Sequence, residues 1–254
     1  MRTPTEPRAR KRFGQHFLEP VWANKVVAAI DPRPTDAFLE IGPGPGAITR
    51  PLAASARSLL ACEIDRDLAK ALREAEIPQV HVLEGDFLGV PPDVLRRELL
   101  ASAPGTQTFR VAGNLPYNVA SPILFRLVEL TRIGLPLVDA TVMLQREVAD
   151  RLLASPGARD YGVLTVLIGY RASVERLLNL PPGAFRPAPK VRSTVVRLRF
   201  HAPDPPVPDE TRLAAVTKAV FSRRRKTLGN ALLALPGMTP AQAARVLASA
   251  GLEP

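Results

Sequence analysis

An apolar run at 37–41, Ala-Phe-Leu-Glu-Ile, feeds directly into Gly42-Pro43-Gly44-Pro45-Gly46-Ala47, and a helical pattern follows. Glycines at such a junction let the chain turn sharply and let a ligand approach the backbone in front of a helix N-terminus. The stretch reads G-x-G-x-x-A at Gly42, Gly44 and Ala47, with an acid, Glu63, about 20 residues further on. Such a junction commits the chain to a strand–turn–helix unit of an open sheet. The remaining pattern agrees. Apolar β-rich runs at 37–41, 58–64, 79–83, 109–112 and 140–144 alternate with helical patterns at 47–56, 65–76, 92–102, 119–132 and 145–154. A further helix is expected at 20–30, before the first run. The runs are continuously apolar, as strands covered on both faces are. Alternation at this spacing predicts a doubly wound, mostly parallel α/β sheet.

After residue 160 the rhythm changes. The stretch 161–170 is apolar and ambiguous between helix and strand. Two more strands are expected at 174–180 and 191–200. The segment His201–Pro208 is Pro-rich and reads as a linker, and helices are expected over 211–235 and 239–249, broken at Pro236-Gly237. The predicted division is 1–201, an α/β domain with a basic N-terminal arm, and 202–254, a small helical domain.

The net charge of +10, with 28 Arg and 6 Lys, points to an anionic partner, nucleic acid above all. The excess is uneven: +4 over residues 1–12, −2 over 13–183 and +8 over 184–254. A near-neutral body carrying basic ends has the form of a binding footprint. One Cys and three scattered His disfavour a disulfide scaffold and the common zinc sites, so no metal is expected. No apolar run approaches the roughly 18 residues of a membrane span, and no secretory h-region is present, so a soluble, cytoplasmic chain without a membrane partner is expected.

Three features narrow the ligand of the glycine loop. Prolines at 43 and 45 lack N–H donors, which suits a cofactor without a pyrophosphate. Glu63 can bind the ribose hydroxyls of NAD and of S-adenosylmethionine alike, so it does not separate them; a second acid, Asp86, follows the third run and can accept from an adenine amino group. The fourth run ends in Asn114-Leu115-Pro116-Tyr117, at the strand edge where open α/β sheets bind ligands. The exocyclic nitrogen of adenine is a poor nucleophile because its lone pair is delocalised into the ring. An Asn carboxamide oxygen and a backbone carbonyl, each accepting one of its N–H groups, fix the amine and aim the lone pair. Pro116 stiffens the turn, and Tyr117 can stack on the base. These features favour S-adenosylmethionine over NAD, and methyl transfer over hydride transfer.

With these motifs in place the chain resembles the KsgA-type rRNA adenine dimethyltransferases, related to the Erm enzymes. The resemblance spans nearly the whole chain. It rests on Lys11-Arg12-Phe13-Gly14-Gln15-His16-Phe17-Leu18, the Glu40–Gly46 loop, Glu63, Asp86, Asn114–Tyr117, Phe185–Ser193 and Phe221–Asn230. It implies a class I S-adenosylmethionine-dependent methyltransferase with a Rossmann-like seven-stranded sheet and a small helical C-terminal domain. It implies cofactor contacts from His16, Leu18, Gly42, Glu63, Asp86 and Asn114, and catalysis at Asn114, Leu115, Pro116 and Tyr117. It also implies that Phe185 faces Tyr117 and sandwiches a flipped adenine. RNA contacts are expected from Arg10, Lys11 and Arg12 and from Arg223, Arg224, Arg225 and Lys226. The implied target is a pair of adjacent adenines in the 3′-terminal hairpin of small-subunit rRNA, within an assembling 30S particle, with a monomeric enzyme. The family usually carries Asn where this chain has His16. An Erm-like target in large-subunit rRNA and an assembly factor with secondary catalysis are the alternatives.

Overall fold

The computed structural model describes residues 16–252. Packing divides the chain into two units. The first runs through Leu153 and resumes over Ala172–His201; the second combines Ala154–Arg171 with the chain from Ala202 onward. Residues 154–171, assigned to the α/β domain by the sequence reading, therefore pack with the C-terminal helices.

The first unit begins with β1 (Phe17–Leu18) and α1 (Pro20–Ile30). Then β2 (Ala37–Ile41), α2 (Thr49–Ala53), β3 (Ser58–Glu63), α3 (Arg66–Glu74), β4 (Val80–Glu84) and α4 (Pro92–Ser102) follow. The alternation continues through β5 (Phe109–Asn114), α5 (Ala120–Arg132), β6 (Leu137–Gln145) and α6 (Arg146–Leu152). After the excursion into the second unit come β7 (Ala172–Leu180), β8 (Phe185–Arg186) and β9 (Ser193–Phe200). Seven strands form one sheet in the order β4-β3-β2-β5-β6-β9-β7, while β1 and β8 pair as a separate two-stranded ribbon. The pairings from β4 to β6 are parallel; β9 runs antiparallel to both β6 and β7. Strand order reverses at β2 and β5, and the ligand crevice of such a sheet opens beside that switch, at the strands' carboxyl ends.

The strand ends show why these residues stop where they do. Gln79, expected to open the third strand, sits at φ 62°, so the strand begins at Val80. Asp65 ends β3 by capping α3, its carboxylate accepting from the Asp67 amide at 3.1 Å. At the amino ends of the strands, Arg110 binds both oxygens of Asp139, Asp36 and the carbonyls of Ile30 and Asp31, while Arg197 binds the carbonyls of Ala29 and Ile30. Together they satisfy carbonyls that the end of α1 leaves without helical partners.

In the second unit the ambiguous 161–170 stretch is a helix, α7 (Val163–Gly169). It is followed by α8 (Glu210–Ser222), α9 (Leu228–Leu232) and α10 (Pro240–Ser249). The single helix expected over 211–235 is broken, because Arg223–Lys226 form an exposed turn between α8 and α9. Leu232, Ala243 and Leu247 form the unit's core, with Val216, Val220 and Leu228 against it. Among the described residues no helix is long and apolar enough to cross a membrane.

Candidate active site

One cavity of about 350 Å³ opens along the carboxyl ends of β2, β3, β4 and β5. That lies within the roughly 300–1,000 Å³ of small-molecule sites. His16, Leu18, Gly42, Glu63, Asp86 and Asn114 all line it, as do Leu115, Pro116 and Tyr117. Residues scattered over a hundred positions are thus brought together by the parallel sheet.

The glycine loop is shaped by its three glycines, all in the left-handed region, at φ 68°, 58° and 87° for Gly42, Gly44 and Gly46. At Gly44 the space is also short: a Cβ would lie 3.4 Å from the Phe17 ring. The loop's amides are used internally. Gly42 donates to the Cys62 carbonyl at 2.9 Å, Gly46 to the Pro43 carbonyl at 3.0 Å, and Gly44 to Glu63 Oε2 at 2.9 Å. Pro43 and Pro45 have no N–H. The three glycine amides are therefore not a nest for a pyrophosphate.

Glu63 is buried, and its other oxygen accepts from the Asp65 amide at 2.8 Å. Burial raises its pKa, and the two amide bonds pull the other way. Asp86 is exposed at the cavity edge, and one of its oxygens accepts from the Leu88 amide at 3.0 Å. Cys62 behaves as an inert buried thiol: burial, then the charges of Glu63 and Asp86, push it up to about 12.

Glu40, quoted in the loop motif but given no role by the sequence reading, is 1% exposed and lines the cavity. Burial pushes its carboxyl up to about 8; the nearby Thr49 hydroxyl offsets part of this, and the charge of Glu63 adds to it. Neither Glu40 Oε2 nor Thr49 Oγ1 has a well-formed hydrogen bond among the described residues. The folded state therefore keeps a proton that an unfolded carboxyl gives up at about 4.5. Its stabilising contribution is complete below that value and is lost as pH rises through about 8. Glu40→Gln is expected to flatten this dependence and to be more stable than the wild type at about pH 9, with the gap closing towards about pH 5. Urea denaturation across that range measures it; parallel curves for the two proteins would contradict the assignment.

On the β5 side, the Asn114 amide has a fixed orientation. Its Nδ2 donates to the His16 carbonyl at 2.8 Å, leaving Oδ1 as the acceptor. The His16 ring lies against Tyr117, with centroids 5.5 Å apart and planes at 26°. His16 Nδ1 is 2.7 Å from the Pro187 carbonyl, which can only accept, so Nδ1 carries the proton there. Tyr117 Oη shares a 2.6 Å hydrogen bond with Ser193 Oγ, a buried hydroxyl at the start of β9. Burial raises the Tyr117 pKa, and the Ser193 bond opposes that. The ring is thus held at its rim and covered on one face.

Phe185 does not meet Tyr117. It is 2% exposed, pairs with Leu18 across the ribbon, and belongs to the core with Leu180, Ala184 and Val195. Because β8 alternates its faces, Phe185 points in and Arg186 points out; the aromatic neighbour of Tyr117 is His16. Arg10, Lys11 and Arg12 lie outside the described residues. In the turn between α8 and α9, Arg223 donates to the Asn230 carbonyl at 3.1 Å. Arg224 donates to the Arg159 carbonyl at 2.8 Å and lies over the Phe221 ring. Arg225 and Lys226 are exposed, with no side-chain partner among the described residues.

Among open α/β folds, this arrangement of sheet and crevice is that of the class I methyltransferases. A solved 23S rRNA methyltransferase, ErmE, is 27% identical with a TM-score of 0.64, covering 93% of this chain and 91% of its own. A dimethyladenosine transferase from Plasmodium falciparum shares the fold with a TM-score of 0.68 at 24% identity, covering 94% and 83%. The chain belongs to the ribosomal RNA adenine dimethylase family, whose sequence model matches residues 7–252. Among its curated relatives, the ribosomal RNA small subunit methyltransferase A of Laribacter hongkongensis is 44% identical over 88% of this chain and 82% of its own. That of Aromatoleum aromaticum is 45% identical over 90% and 82%.

Proposed function

We propose that the protein transfers methyl groups from S-adenosylmethionine to N6 of two adjacent adenines in the 3′-terminal hairpin of small-subunit rRNA, twice on each, within an assembling 30S particle. The observation that carries this reading is the Asn114 amide, whose donor end is tied to the His16 carbonyl and whose oxygen is left to accept.

The site suits that cofactor. The glycine amides are already bonded, Gly42 and Gly44 to Cys62 and Glu63 of β3 and Gly46 within the loop, so a ligand without phosphates fits better than a dinucleotide. Glu63 and Asp86, which both line the cavity, would take the ribose and the adenine. Glu40 brings a buried carboxyl with an unpartnered oxygen, the complement of an amino acid's ammonium group. His16, Leu18, Gly42, Glu63, Asp86 and Asn114 would hold the cofactor. When bound, it supplies a sulfonium methyl as the electrophile.

The chain's own residues then position the nucleophile. Asn114 Oδ1 and a backbone carbonyl of the Leu115-Pro116 turn accept the two N–H groups of the adenine amine, which concentrates its lone pair towards the methyl carbon. Tyr117, anchored by Ser193 and extended by the His16 ring, offers a stacking surface. Base–aromatic stacking contributes about 1–3 kcal/mol, which offsets much of the few kcal/mol spent in turning a base out. As the new N–C bond forms, the methyl carbon's bond to sulfur breaks and leaves a neutral thioether, and the amine, now cationic, releases its proton to water. Holding the two reactants in line is the main catalytic contribution.

The test is transfer of labelled methyl to small and large ribosomal subunits that lack the modification. Label in two adjacent small-subunit adenines is the expected result. Label in large-subunit rRNA would replace this reading with an Erm-like one, and label in neither would remove it.

A further inference from the structure

The sequence assigns the body of the protein a charge near zero and places the positive excess at the two ends. The fold redistributes it. Residues 184–201 carry five cations and no acid, and they belong to the sheet unit. Two of the five face the structural interior or a strand neighbour. Arg197 binds the carbonyls at the end of α1, and Arg199 pairs with Glu175 at 2.9 Å. Of the other three, Arg186 ends β8 and pairs with Glu19, and Lys190 and Arg192 lie on the loop between β8 and β9.

The topology fixes where that loop is. Because β9 is antiparallel, its first residue, Ser193, is opposite Gln145 at the carboxyl end of β6 and Leu180 at the carboxyl end of β7. The loop is therefore on the same sheet edge as the cavity. It is tied down there at three points: the Pro187 carbonyl to His16, the Arg192 carbonyl to the Arg146 amide at 3.0 Å, and Ser193 to Tyr117. Pro187 and Pro189 stiffen it further.

This edge is polarised about β5. On one side, β2, β3 and β4 end in acids, Glu40, Glu63, Glu84 and Asp86, with Glu84 paired to Arg66 and Arg73. On the other side lie Arg146, Arg186, Lys190 and Arg192. The acids there are already engaged: Glu19 with Arg186, Asp150 with Arg146 and Arg176, and Glu147 with Arg151. Lys190 and Arg192 are exposed and have no ion-pair partner among the described residues. Two unneutralised cations on a stiff loop, three residues and one residue before the Ser193 that anchors Tyr117, are positioned for phosphates bordering a nucleotide inserted at Asn114–Tyr117.

We propose that the loop 187–192 is an RNA-backbone contact in which Lys190 and Arg192 hold the phosphates flanking the target adenine. This rests on the proposed rRNA methyl transfer and adds a surface to it. The full chain is assayed on unmodified small subunits at several salt concentrations, together with Lys190→Gln/Arg192→Gln. A control pair, Arg33→Gln/Arg57→Gln, removes equal charge from the opposite edge, where β2 and β3 begin. For the loop pair, the KM for subunits should rise roughly 10-fold and the salt slope of log kcat/KM should flatten by about 1.4, at about 0.7 per single-strand phosphate contact. kcat and cofactor affinity should stay within about 2-fold of wild type, since a phosphate contact held equally in the bound and transition states changes KM and leaves kcat unaltered. Lys190→Arg/Arg192→Lys, which keeps both charges, should restore the slope and separate charge from loop packing. A loop pair indistinguishable from the control pair, with an active wild type, would overturn the surface alone. An inactive wild type would overturn the reading beneath it.

Discussion

Asn114→Ala should reduce methyl transfer by roughly 1,000-fold, the loss seen when a preorganised polar group facing the reacting atoms is removed. Cofactor affinity should fall only a few-fold, because most of the cavity wall remains. The reason lies in the division of labour across one amide. Nδ2 is bonded to the His16 carbonyl, so Oδ1 faces its task without rotating. Asn114→Asp is the sharper variant. It keeps the shape and an acceptor oxygen but removes the donor, so the His16 carbonyl and a carboxylate oxygen are left facing each other. It should recover little of the lost rate. Single-turnover transfer from a labelled donor, paired with equilibrium cofactor binding, separates the two effects. Undiminished transfer by Asn114→Ala would remove the mechanism.

Gly113→Ala should damage both fold and rate, although Gly113 carries no side chain into the site. A Cβ there would lie 2.7 Å from the Ile41 carbonyl oxygen and 3.3 Å from Leu115 Cδ2. The first is backbone and cannot step aside. Ile41 is the last residue of β2, immediately before the glycine loop, and Gly113 pairs with it in the register of β2 and β5. A methyl group at this point pushes the cofactor loop away from Asn114, at the seam where the two halves of the site meet. Overpacking of this kind costs about 1–3 kcal/mol, or roughly 3–10 °C in Tm for a chain of this size. Transfer should fall about 100-fold, since a misplacement near 1 Å costs that much. Gly169→Ala is the control. Nothing lies within 4 Å of its added carbon, so it should be neutral or gain about 0.4–1 kcal/mol from reduced freedom of the unfolded chain. A Gly113→Ala protein with wild-type Tm and rate would show that the seam tolerates the shift.

The parts of the site legible in the sequence are those whose chemistry is local. The glycine loop, Glu63, Asp86 and Asn114–Tyr117 each sit at a strand end and border one cavity, where a short run of residue types dictates both the turn and the groups it presents. What escaped the sequence depends on residues far apart in the chain. The Tyr117–Ser193 bond spans 76 residues, and the His16–Pro187 bond spans 171. Phe185 carries an aromatic ring in a family motif, yet its place is decided by pairing with Leu18, which turns it into the core. Gly113 is an ordinary strand residue until β2 is laid beside it. The stretch 154–171 precedes β7 in the chain, yet it packs with the C-terminal helices and not with the sheet, which the order of elements does not reveal. Net charge shows the same limit. The C-terminal excess of +8 reads as a property of the helical tail, whereas five of its twelve cations lie on the sheet unit.

Glu40 completes the account of the cavity. Its carboxyl is buried with one oxygen lacking a hydrogen-bond partner among the described residues, a position that an ammonium group would complete. The acids on one half of the edge and the cations on the other are then two faces of one arrangement, with the reacting amine held between them on β5.

The central claim is that Asn114 positions adenine amines of small-subunit rRNA for methylation. The most direct measurement is mass mapping of rRNA from cells lacking this protein and supplied with either the wild type or Asn114→Ala. The account predicts two adjacent dimethylated adenines in the 3′-terminal hairpin of small-subunit rRNA with the wild type, and unmodified adenines there with the variant. Dimethylation restored equally by both proteins, or wild-type methylation confined to other rRNA positions, would contradict it.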